Sequence, residues 1–152
     1  MTFRINYQDF SRNGTPVYIN SENSFSYEPW NECDFSIIIG RGYNSLDVSL
    51  STKNIVHVSG LNPKYTWEKA IVNPPKYEFG NLIVEGVELE CAGTGVTYTE
   101  NWKTSYDENS GWVQIGNNDE NNIMCVCFAR DTIGAINENG ELVSIWIRPE
   151  FK

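Results

Sequence analysis

Apolar and polar positions alternate with a period of two along much of the chain, which is the pattern of strands with one buried face. Leu46, Val48 and Leu50 alternate with Ser45, Asp47, Ser49 and Ser51. After a turn at Thr52-Lys53-Asn54, Val56 and Val58 continue the apolar face and His57 points the other way, as a histidine at the surface or rim of the sheet. Residues 123–129 are apolar throughout, which predicts a strand buried on both faces and central in its sheet, and residues 36–39 are a second candidate.

Turn chemistry divides these runs. Asn-Gly tolerates the positive φ angles of a tight hairpin. Asn13-Gly14 predicts that residues 3–10 pair with 16–19, and Asn139-Gly140 predicts that 132–136 pair with 141–147. A third hairpin within 101–116 turns at Asp107-Glu108-Asn109-Ser110-Gly111 and would draw Trp102, Tyr106 and Trp112 together. Pro63, Pro74 and Pro75 mark connections, leaving residues 64–72 as the one place for a short helix. Turn signals recur about every 8–12 residues, so the expected fold is all-β: a single-domain antiparallel sandwich or partly open barrel of about 9–10 strands over residues 1–152.

Composition agrees with that class. A chain of 152 residues buries roughly two-thirds of its unfolded surface and needs no disulfide or metal to fold. Aromatic residues make up 13% of it, which favours strands. No stretch approaches the roughly 20 apolar residues of a membrane span, and the opening residues lack the apolar run of a secretory signal, so a cytoplasmic location is expected. Cys33, Cys91, Cys125 and Cys127 show no framework spacing and are expected to be reduced and buried.

Charge narrows the range of partners. Residues 1–76 carry seven acids and seven bases, whereas 77–152 carry thirteen acids and four bases. A net charge of −9 with no basic run disfavours nucleic acid and anionic membrane and favours a basic protein partner.

Catalytic and metal signals are sparse. His57 is the only histidine and lacks a nucleophile motif around it. Cys125 and Cys127 are read as pointing to opposite faces of a strand and so unable to share a zinc ion, and no metal or other cofactor is expected. Asp107, Asn109 and Gly111 have the spacing of part of a calcium loop, but the closing bidentate Glu is missing. Glu88 and Glu90 share a strand face about 6.5–7 Å apart, a spacing that paired carboxylates of a hydrolase could use.

What remains is a surface of acids and aromatics, the composition of protein contact sites. Its candidate residues are Glu100, Trp102, Tyr106, Asp107, Glu108, Trp112, Asp119 and Glu120. The expected function is a non-enzymatic, cytoplasmic protein-binding domain, most concretely an immunity protein that neutralises a basic toxin. Two alternatives stand beside it: a carbohydrate-binding module that stacks sugars on aromatics, and a small β-fold hydrolase using the paired carboxylates.

Overall fold

The structure is a computed structural model, and it describes residues 1–8, 14–40, 44–86, 94–117 and 121–152. In chain order its strands are β1 (Thr2–Asn6), β2 (Thr15–Ile19), β3 (Ser24–Glu28), β4 (Phe35–Ile39), β5 (Asn44–Val48), β6 (Ile55–Leu61), β7 (Glu68–Lys69), β8 (Glu78–Phe79), β9 (Asn81–Glu85), β10 (Thr104–Tyr106), β11 (Val113–Gly116), β12 (Met124–Ala129), β13 (Thr132–Ile136), β14 (Leu142–Ile147) and β15 (Glu150–Phe151). They form a seven-stranded sheet, β7-β10-β11-β14-β13-β12-β8, a six-stranded sheet, β15-β2-β3-β6-β5-β4, and the pair β1-β9. The all-β, sandwich-like fold expected from the sequence is therefore present, and it is not a closed barrel. Most neighbours are antiparallel, but the two-residue edge strands β7, β8 and β15 each join in parallel.

Helical structure among the described residues is limited to two 3₁₀ turns, Lys64–Thr66 and Thr97–Thr99. The segment expected to hold a short helix thus coils once after Pro63 and then extends into β7. No helix among the described residues is long and apolar enough to cross a membrane.

The main core lies between the large sheets. Ile37, Ile39, Leu46, Val48, Ile55 and Val58 from the six-stranded sheet meet Val113, Ile115, Val126, Phe128, Ile145 and Ile147 from the seven-stranded one. Phe3, Leu82 and Val84 bring the β1-β9 pair into the same cluster. Tyr27 crosses this core, its hydroxyl 2.6 Å from Thr132 Oγ1. A second cluster covers the outer face of the seven-stranded sheet, where Val72 lies with Trp112, Cys125, Cys127, Ile133 and Trp146.

The Asn139-Gly140 hairpin forms as expected, with Gly140 at φ +76° between β13 and β14. The β10-β11 hairpin forms too. Trp102 and Trp112, however, do not meet across it, because Trp102 enters the main core and Trp112 the outer-face cluster.

Four further expectations are corrected. β1 pairs with β9, from Thr2 opposite Glu85 to Asn6 opposite Asn81, and not with β2. Both edges of β2 are already occupied, by β15 and by β3, the latter through a short turn in which Asn23 takes φ +52°. Residues 36–39 belong to an edge strand with alternating burial, so they are not buried on both faces. Val56 leaves the apolar face because a bulge lies opposite Asp47 and Val48, and Ile55 takes the place opposite Val48. Cys125 and Cys127 share one face, as residues two apart on a strand must.

Candidate functional site

At one end of the sandwich β6 stops at Leu61, where Asn62-Pro63 and the 3₁₀ turn take over. Together with Gly40 and Asn44 from the β4-β5 end and Trp102-Lys103-Thr104 entering β10, this segment encloses a cleft of about 450 Å³. That size lies within the range of small-molecule sites.

The floor of the cleft is a fixed amide. Asn62 Nδ2 donates to Asn44 Oδ1 and Thr104 Oγ1, both at 2.9 Å. Its Oδ1 accepts Trp67 Nε1–H at 2.9 Å, and its carbonyl accepts the Tyr18 hydroxyl at 2.8 Å. With both amide protons and the side-chain oxygen engaged, the Asn62 side chain has one orientation. Behind it Trp67 stacks on Phe25 at 5.8 Å and meets Tyr18 edge-on at 4.8 Å, and burial pushes the Tyr18 hydroxyl above its ordinary pKa.

The rim is exposed by contrast. Tyr65 is 87% exposed and makes no ring contact among the described residues. Glu68 and Lys103 pair at 3.4 Å on the same rim, so the two charges offset each other. Thr104 accepts from Asn62, and no acceptor for its own hydroxyl proton is found among the described residues. An aromatic plate, amides, hydroxyls and no net charge are the lining that recognises neutral polar molecules.

A second constellation is built on β4, β5 and β6 of the six-stranded sheet. Register places Asp47 opposite both Ser36 and His57. Asp47 Oδ1 accepts the Ser36 hydroxyl at 2.7 Å, and Oδ2 accepts the Ser59 hydroxyl at 2.6 Å and lies 2.8 Å from His57 Nδ1. A carboxylate only accepts, so Nδ1 carries a proton, and in the neutral form of the ring Nε2 is then a bare lone pair. His57 is fully buried, which corrects the surface or rim position expected of it. The Tyr27 ring stacks parallel to the imidazole at 4.9 Å, and the Trp30 ring covers it at 3.9 Å.

The residues proposed from the sequence are dispersed. Glu100 is exposed just after the second 3₁₀ turn, beside a groove that shares Gly40 with the cleft. Trp102 is buried and closes one cleft wall, and Tyr106 is half-buried against Trp67 and Phe151. Asp107 is buried and accepts the backbone N–H groups of Val72, Asn109 and Ser110. Those bonds, the one from Val72 first, hold its carboxyl below the usual carboxylate range. Glu108 is exposed and pairs with Lys69 at 3.1 Å, whereas Trp112 is buried beneath Arg148. Asp119 and Glu120, like the paired Glu88 and Glu90 and like Cys91, lie outside the described residues.

Other acids of the second half are paired as well, Glu85 with Arg4 and Asp131 with Arg148. Cys33, Cys125 and Cys127 are free thiols, and Cys33 is only half-buried. Among the described residues no three His, Cys, Asp or Glu side chains converge as metal ligands.

Sequence reasoning missed Asn62 and Tyr65, which carry no motif, and it missed the Asp47–His57 contact. Alternation had put Asp47 and His57 on polar faces of successive strands, and that was the available signal. Compared with known proteins, the chain matches no family model and no curated protein.

Proposed function

We propose that the protein is a non-enzymatic binding module that takes a neutral, polyhydroxylated ligand of the carbohydrate class in the Asn62–Tyr65 cleft. The observation that carries this reading is the contrast within the cleft: a rigid amide and hydroxyl floor beneath a Tyr65 ring that is 87% exposed and has no ring contact among the described residues. An aromatic plate stacks on the apolar face of a sugar, and the Thr104 hydroxyl with the second lone pairs of the fixed amide oxygens selects its hydroxyls. Because Glu68 and Lys103 offset each other, affinity should change little with salt.

A glycan array followed by calorimetry tests the reading. Binding is expected for a subset of glycans, with Tyr65→Ala lowering affinity about tenfold or more, worth ~1.4 kcal/mol, while stability is unchanged. Glycan binding that Tyr65→Ala leaves intact, or no binding across the array, would overturn it.

A second reading, a cytoplasmic immunity-type protein that covers a basic partner, is favoured by the charge of −9. Leu142 N–H donates to the Tyr98 hydroxyl, which seats the Thr97–Thr99 turn on the β13-β14 hairpin. Glu100 and Glu138 flank that junction in sequence, both exposed and without an ion-pair partner among the described residues. Binding of this kind would weaken steeply with salt, unlike binding in the cleft.

A further inference from the structure

Buried polar atoms are almost always hydrogen-bonded, so each exception calls for a reason. In the Asp47 network the carboxylate, both serine hydroxyls and His57 Nδ1 are partnered, and His57 Nε2 alone is buried with no partner among the described residues. The cover over this imidazole is uneven. Tyr27 is part of β3 and anchored to Thr132, whereas Trp30 sits on a segment without regular secondary structure, is 49% exposed, and has the imidazole as its one ring contact among the described residues. A half-solvated indole on an irregular segment is the part of the cover that moves at least cost.

We propose that Trp30 is a displaceable cap on a second binding site, in which Asp47-oriented His57 presents Nε2 as the acceptor for a small ligand bearing an N–H or O–H donor. Asp47 fixes the tautomer, and the parallel Tyr27 ring fixes the imidazole plane, so the lone pair is held in place before any ligand arrives. A donor that replaces the indole satisfies the one open valence of the network. This site is built on β4, β5 and β6 and stands independently of the cleft.

Because His57 is the only histidine, the absorbance of the ethoxyformyl-histidine formed with diethyl pyrocarbonate reports on it alone, whatever Lys, Tyr or Cys side chains also react. The reagent transfers its ethoxyformyl group to an unprotonated Nε2, releasing ethanol and carbon dioxide as the Nδ1 proton departs. In the intact wild-type protein the rate is expected to be measurable and flat across low urea, the behaviour of a local opening. Trp30→Ala should raise it about tenfold or more with the unfolding midpoint retained. Acetamide, which has N–H donors, should then slow the variant's reaction, and N,N-dimethylacetamide, which has none, should not. The proposal falls if the wild-type rate rises with urea in step with global unfolding, if Trp30→Ala brings no acceleration, or if the two amides act alike.

Discussion

Asp47 and Asp107 are both buried carboxylates, and they are held by different kinds of partner. Asp107 gathers backbone N–H groups, two from its own turn and one from Val72 on the segment that crosses the outer face of the seven-stranded sheet. Asp47 gathers side chains, Ser36 from β4 and His57 and Ser59 from β6. Backbone donors come with the chain wherever it turns. Side-chain donors exist only where three residues and a strand register agree, so the Asp47 network commits far more sequence to one carboxylate. The Asp107 network clips a strap to a hairpin, whereas the Asp47 network ends in an open imidazole nitrogen.

The largest effect should follow from breaking the more heavily committed network. Asp47→Ala leaves the buried His57 Nδ1–H, at about 1–3 kcal/mol, and the half-buried Ser36 and Ser59 hydroxyls, at about 1 kcal/mol each, without their acceptor. A total loss of roughly 3–5 kcal/mol is expected, read from urea unfolding followed by tryptophan fluorescence. A loss below about 1 kcal/mol would mean that the network is slack and that the two aspartates do not differ as described.

Asp107 should separate from Asp47 by its dependence on pH. Its carboxyl is held below the ordinary value, so its contribution is complete above the unfolded aspartate pKa of about 3.9 and is lost as pH falls through the lower folded value. Asp107→Asn should therefore be less stable than wild type at neutral pH, and the two proteins should converge on acidification. Unfolding midpoints measured from neutral pH down to about 2 check this. A gap that stays constant with pH would show that the carboxylate charge is not what Val72, Asn109 and Ser110 hold.

These two networks also mark how far the sequence was legible. Asp107 could be placed because Asp-Glu-Asn-Ser-Gly is a turn by local chemistry, and the β13-β14 hairpin followed from Gly140 for the same reason. The β1-β9 pair could not be found, since nothing near Phe3 encodes a partner at Val84, and the local Asn13-Gly14 signal pointed to a strand whose edges were taken. His57 shows the same limit. Its polar face was evident from alternation, but its burial depends on Trp30 and Tyr27, which arrive from another part of the chain. The cleft joins Asn44, Asn62 and Thr104, three segments that only the folded sheets bring together.

The smallest expected effect sharpens the comparison most, because it asks whether every serine beside Asp47 belongs to its network. Ser45 lies opposite Ser59, with its hydroxyl 3.3 Å from the Ser59 hydroxyl and 3.5 Å from Asp47 Oδ1. The second distance is at the edge of what a hydroxyl-to-carboxylate bond allows, whereas Ser36 and Ser59 reach Asp47 at 2.7 and 2.6 Å. Ser45→Ala should therefore cost less than about 0.5 kcal/mol, and Ser36→Ala or Ser59→Ala about 1–2 kcal/mol each. Unfolding curves for the three variants rank them directly. Equal losses at all three positions would mean that the carboxylate is held by the polarity of the whole face, and the contrast with the stereospecific backbone clip of Asp107 would disappear.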